Sequence, residues 1–184
     1  MTLYYIKYGF IIICLLITIY YKRPFPALFT AIADYYLVIR LLNEIGVTIF
    51  IFAHLCYAVR FTGKKCILLF CLPFTLPSFA AALVWGQYFG FHLVFAATFY
   101  AQCFLLSLTC ALVSFFRKRF PHPSGILIIT GMMLFVLCDI CVLIFQTAHY
   151  TAANIAFNLI WLFYAPSQLL LALSTRKFTL KNIV

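Results

Sequence analysis

The chain has 184 residues, of which 67% are hydrophobic and only 9% are charged. A soluble domain carries about a quarter charged residues, so this chain lacks the polar surface to cover a soluble globule and is far too apolar to be disordered. Thirteen Lys and Arg against three acids give a net charge of +10. They fall as short punctuation between apolar runs rather than as a basic face, which argues against nucleic acid as a partner and leaves an all-α, multi-pass membrane protein.

Seven apolar runs predict seven helices, over roughly 4–21, 25–42, 45–61, 66–86, 88–116, 124–146 and 151–174. At 1.5 Å per residue such runs cross a hydrocarbon core of about 30 Å. They make residues 1–184 a single transmembrane domain of about seven spans, with eight as the alternative count. The first run has no small-residue cleavage site, and Lys22-Arg23 follow it rather than precede it, so it reads as a retained helix and not a signal peptide. Pro24 and Pro26 suit the first turn of the second helix. Asn43-Glu44-Ile45-Gly46 reads as the turn between the second and third. Pro73 and Pro77 are expected to kink or divide the fourth. The fifth is too long for an upright span, which implies tilt or extension past the membrane.

On alternating topology, eleven of the basic residues fall on one side: Lys22, Arg23, Arg60, Lys64, Lys65, Arg117, Lys118, Arg119, Arg176, Lys177 and Lys181. Lys7 and Arg40 fall on the other. This bias orients the basic side to the cytoplasm and the N-terminus outside, in a cell membrane. The charge then faces anionic membrane lipids. The eight cysteines give no disulfide framework. Cys138 and Cys141, around Asp139, read as small packing residues.

An ionisable side chain at membrane depth costs about 2.5–3.5 kcal/mol to insert and marks a site by default. Asp34, on the second segment, and Asp139, on the sixth, are two such residues, with no Lys or Arg expected at similar depth. Asp34 shares a face with Ala27, Thr30, Ala31 and Val38, small enough to turn it into the bundle. Glu44 reads as a solvated i,i+4 partner of Arg40. Gly46, Phe50, His54 and Tyr57 lie at spacings 4, 4 and 3, on one helix face. Tyr164 and Gln168 stand one turn apart on the last segment, with Ser167 beside them, and Tyr100 and Gln102 lie on the fifth. Asp34, His54, Asp139, Tyr164 and Gln168 are thus expected to meet in one intramembrane pocket. Three His at one depth are not available, since His92, His122 and His149 lie near span ends or in loops, so a zinc site is not expected.

These elements resemble, in order, the motifs of the YhhN family, the lysoplasmalogenases. Lys22-Arg23-Pro24 is similar to its Lys-Pro element and Ala33-Asp34-x-x-Leu37 to its Gly-Asp-x-x-Leu. Gly46, Phe50, His54 and Tyr57 match its G-x-x-x-F-x-x-x-H-x-x-Y. Gly131, Phe135 and Cys138-Asp139 resemble its G-x-x-x-F-x-x-S-D, and Tyr164 and Gln168 its closing aromatic–Gln element. Ala33 replaces Gly and Cys138 replaces Ser. The Lys22 element stands too close to Asp34 to leave room for the further helix that family members usually place there, which fits seven spans.

The resemblance implies cleavage of the vinyl ether of an alkenyl lysophospholipid, giving a fatty aldehyde and a glycerophospho-alcohol. Such an ether is cleaved by protonation on carbon and capture of the oxocarbenium ion by water. This calls for one protonated carboxyl and one carboxylate, as in two-carboxylate glycosidases, and for neither metal nor cofactor. Asp34 and Asp139 would be the acid and base, in either assignment. His54, Tyr57, Tyr164 and Gln168 would orient water, glycerol oxygen or phosphate, and Lys22 is a headgroup candidate. Two other classes stay open from the residues themselves: a proton-coupled carrier with Asp34, His54 and Asp139 as a relay, and a non-catalytic structural or sensory protein in which the polar residues anchor helices. The sequence sets no oligomeric state.

Overall fold

Seven helices occupy the seven apolar runs in a computed structural model, which describes residues 2–40, 42–63, 65–147 and 150–176. They are α1 (Thr2–Tyr20), α2 (Phe25–Asp34), α3 (Asn43–Thr62), α4 (Thr75–Phe89), α5 (Phe91–Phe116), α6 (His122–Thr147) and α7 (Tyr150–Leu173). Lys64, His149, Lys177 and Lys181 lie outside the described residues. Four helices are long and apolar enough to cross a membrane by themselves: α3, α5, α6 and the Thr151–Leu173 stretch of α7. The apolar stretches Tyr5–Tyr20 and Phe25–Ile39 are shorter.

Local chemistry explains most of the boundaries. Pro24 precedes the first residue of α2 and Pro26 stands in its first turn, where a missing N–H costs nothing. Gly63 ends α3 in the left-handed conformation at φ +65°, its N–H bonded to the Val59 carbonyl at 2.7 Å, as glycine alone does without strain. The fourth run is divided: Lys65–Phe74 forms a 3-10 stretch containing Pro73, and α4 begins at Thr75 with Pro77 in its first turn. Proline is tolerated there and not further in.

Two expectations are corrected at the α2–α3 junction. α2 does not run on as a regular helix to residue 42, because Tyr35–Ile39 forms a wide π turn directly after Asp34. The chain break falls before Asn43, and Asn43-Glu44-Ile45-Gly46 opens α3 instead of forming the turn. Arg40 and Glu44 therefore belong to different elements and are not an i,i+4 pair. Glu44 sits instead in the first turn of α3, where the helix dipole favours an acid.

α1, α2, α3, α5, α6 and α7 close a ring in that order, each packed on the next and α7 back on α1, while α4 packs against the outside of α5. The core runs through the ring interior and includes Phe50, His54, Phe61, Met132, Phe135 and Leu171. α4 buries only Ser78 and Ala82 and exposes Leu76, Phe79, Leu83 and Trp85. An apolar outside of this kind suits lipid rather than water. Two glycines bring helices into close approach. A Cβ at Gly46 would lie 2.3 Å from Leu37 Cγ and 3.2 Å from the Ala33 carbonyl, and one at Gly131 would lie 2.9 Å from Leu171 Cγ and 3.2 Å from the Ser167 carbonyl. Gly46→Ala should therefore cost about 1–3 kcal/mol by overpacking. Gly9→Ala, whose Cβ meets nothing within 4 Å, should be neutral or slightly stabilising. Thermal unfolding of the two variants in detergent measures the contrast.

Candidate functional site

Helix register sets the depth of the polar residues. Ser107 meets His54 at 3.0 Å and Ser114 donates to the Phe61 carbonyl at 2.6 Å. Both pairs are separated by 53 residues, so α3 and α5 run parallel with a fixed offset that brings Tyr100 abreast of Val47. α2 runs antiparallel to α3, with Phe29 stacked on Phe52 at 5.9 Å and Leu37 against Gly46. That pairing brings Asp34 abreast of Val47 as well. On the other side of the ring, Gly131 against Leu171 and Ser167 puts Asp139 level with the turn of α7 that holds Trp161 and Tyr164. The two carboxyl-bearing residues thus share one depth, level with the second turn of α3.

Each carboxyl is held by a tyrosine. The Tyr164 hydroxyl donates to Asp34 Oδ2 at 2.5 Å and the Tyr100 hydroxyl donates to Asp139 Oδ2 at 2.7 Å. Asp34 is buried at 4% exposure and Asp139 is half-buried. A buried carboxyl without a donor is strongly unfavourable, and a phenol at this distance relieves it while leaving the second oxygen for other partners. Among the described residues no hydrogen bond joins the two carboxyls directly. Tyr100 and Cys138 nevertheless lie within Coulombic reach of both.

An aromatic cluster connects the two halves. The Phe135 ring packs on Tyr164 at 5.6 Å, on His54 at 5.2 Å and on Phe50 at 6.1 Å, and His54 packs on Tyr100 at 5.3 Å. His54 is fully buried. Ser107 Oγ stands 2.8 Å from the Phe104 carbonyl and 3.0 Å from His54 Nδ1; with the hydroxyl proton on that carbonyl, Ser107 accepts from Nδ1. That leaves Nε2 as an acceptor. Nε2 is buried without a hydrogen-bond partner among the described residues, and so are Ser167 Oγ and Gln168 Nε2. Each such atom costs about 1–3 kcal/mol, and three of them in one bundle interior mark it as suited to a polar ligand.

The structure therefore brings Asp34, Asp139, His54 and Tyr164 into one cluster. Tyr57 stands one turn below His54 at 6.1 Å between rings, and Gln168 one turn below Tyr164. Lys22 is not part of it. It is an exposed turn residue beyond the first turn of α2, more than about 15 Å along the axis from Asp34, farther than a glycerophosphate bound there would span. The expected absence of a cation at this depth also needs correction. The Lys7 ammonium lies 4.7 Å from the Trp161 ring centroid and 4.9 Å from that of Phe157, and Trp161 packs on Tyr164 at 5.4 Å. Lys7 rests on ring faces rather than on a carboxyl, one ring removed from the Asp34 partner.

Motif spacing alone did not identify Ser107 or assign Tyr100 its partner. Their signal was a polar side chain in an otherwise apolar run, which many satisfied hydroxyls share. Thr30, for example, bonds the Pro26 carbonyl of its own helix at 3.0 Å. Removing the donor from Asp34 should be costly: Tyr164→Phe is expected to lose about 1–3 kcal/mol. In a double-mutant cycle with Asp34→Asn the losses should be non-additive, as thermal unfolding in detergent would read.

No curated protein and no solved structure shows significant similarity to the chain. The family model described as the YhhN family matches residues 10–175. That match takes in α2 to α7, most of α1 and every residue of the cluster, and the chain belongs to the YhhN family.

Proposed function

We propose that this YhhN family member is a membrane-embedded hydrolase that cleaves the vinyl ether bond of lysoplasmalogens, working from a seven-span bundle with its basic end in the cytoplasm. The observation that carries this reading is the pair of tyrosine-held carboxyls at one depth, with His54 and Phe135 between them.

In this mechanism one carboxyl gives its proton to the alkenyl carbon β to the ether oxygen. The resulting oxocarbenium ion is stabilised by the second carboxylate. Water, held by His54 Nε2, adds to the α carbon, and the second carboxylate takes the proton released. The hemiacetal then collapses: the second carboxyl gives its proton to the leaving glycerol oxygen while the first carboxylate takes the hemiacetal hydroxyl proton, which releases aldehyde and alcohol and restores the starting protonation. Either aspartate fits either role. Tyr164 and Tyr100 position the carboxyls, Gln168 and Ser167 offer polar contacts to the glycerol portion, and Tyr57 supports the His54 ring. The single apolar chain of the substrate enters from lipid. The mechanism uses no metal and no cofactor.

Purified protein given an alkenyl lysophospholipid should release fatty aldehyde. General acid–base groups contribute about 10²–10⁴-fold, so Asp34→Asn and Asp139→Asn should each reduce aldehyde release by at least a hundredfold while the protein still folds. Full activity in both variants would eliminate the two-carboxylate mechanism. Proton-dependent solute flux in liposomes without hydrolysis would replace it with a carrier.

A further inference from the structure

We propose that the basic end of the bundle holds a second, separate binding site, built for a phosphate group. Four helix junctions meet there around a cavity of about 650 Å³ lined by Arg23, Arg60, Arg119 and Arg176, with Ser124 and Ser174 in its wall. These arginines come from the turn after α1, the end of α3, the turn before α6 and the end of α7, so only the folded bundle brings them together.

Three observations make this more than a row of topology-setting charges. First, the arginines turn toward a shared concavity. Arg60 donates from Nη2 to Ser174 Oγ at 2.8 Å and from Nη1 to the Leu171 carbonyl at 3.4 Å, which holds its guanidinium in the wall. Its Nε is buried without a partner among the described residues. Second, room is made for a guanidinium at close range. A Cβ at Gly63 would fall only 2.0 Å from Arg119 Nη2, so the left-handed glycine that ends α3 also lets Arg119 lie across the helix end.

Third, no acidic side chain of the protein stands near Arg23, Arg60 or Arg119. Val47, level with both aspartates, stands thirteen residues from Arg60 along α3, about 20 Å, and Glu44 opens the opposite end of the same helix. The C-termini of α1, α3, α5 and α7 point into this region, each worth about half a negative charge. Arg23, Arg60 and Arg119 alone exceed that by about one positive charge, and the N-terminus of α6, beside Ser124, adds donors suited to an anion. Guanidinium forks with hydroxyls are the chemistry that binds phosphate. A depth of about 20 Å separates this site from the carboxyl pair, so one lysophospholipid cannot occupy both with its phosphate and its ether.

The phosphate can come from free solution or from a lipid headgroup, and two arms separate these sources. In the first, the full chain in neutral detergent is titrated with inorganic phosphate at constant ionic strength, with chloride as the control, and thermal unfolding is followed. In the second, the protein is compared in phosphatidylcholine nanodiscs with and without phosphatidate. A saturable rise in the unfolding temperature in the first arm assigns a free phosphate ligand, and a rise confined to the second assigns a lipid headgroup. In either case Arg119→Gln and Arg23→Gln, both at exposed positions, should weaken the response roughly tenfold each, the loss of one charge-assisted contact. Arg40→Gln, at the other end of the bundle, should not. The same test with Arg60→Gln adds a half-buried position, and the two exposed variants decide the matter if that one fails to fold. No stabilisation in either arm, or a stabilisation that Arg119→Gln, Arg23→Gln and Arg40→Gln leave equally intact, would overturn the proposal.

Discussion

A carboxyl inside a bundle whose outer face is built for lipid has no water to rely on, and the arrangement of this protein follows from meeting that demand twice. Asp34 on α2 is met by Tyr164 on α7, and Asp139 on α6 is met by Tyr100 on α5. The first bond crosses the ring interior, since α1 stands between α2 and α7 in the ring order. The second ties α5 to α6 across their seam. Each acid is thus a structural tie as well as a titratable group. A tyrosine suits both purposes because it relieves the buried charge without neutralising it by a full countercharge.

The rest of the interior is shaped around those ties. Gly46 and Gly131 let α2 approach α3 and α6 approach α7, the small-residue packing on which membrane helices depend. Phe135 then fills the space so opened, with its ring in contact with Tyr164, His54 and Phe50. The π turn after Asp34 belongs to the same design. A π turn widens the helix locally and is a recurrent feature of functional sites, and here it directly follows the residue whose carboxyl faces the interior.

Charge is distributed along the axis in a complementary way. The two aspartates share one depth, where each meets a phenol, while arginines collect at one end around a shared cavity. Lys7 alone among the described cations rests on ring faces at the depth of the acids. The long stem of lysine allows an ammonium to lie over an indole where an ion pair would require full desolvation of both partners. The two ends of the bundle therefore differ in electrostatic character for reasons that go beyond membrane orientation.

The helix positions, the division of the fourth segment at Pro73 and Pro77, and the burial of Asp34, His54, Tyr57, Tyr164 and Gln168 were all legible in the chain, because hydrophobic runs, proline chemistry and one-face spacing are local properties. So was family membership, which rests on motif order along the chain. What no local property carries is lateral position. Tyr100 became the partner of Asp139, Ser107 the anchor of His54, and Lys22 a remote turn residue only through the register and order of helices around the ring. The π turn and the shifted start of α3 depend likewise on the close packing of Leu37 and Ala33 against Gly46. Four arginines far apart in sequence face one cavity because four junctions close at the same end. Sequence by itself determined which runs are apolar helices and which polar residues fall within them. The tertiary structure alone decided which of them touch, since that depends on the rotation and neighbours of whole helices.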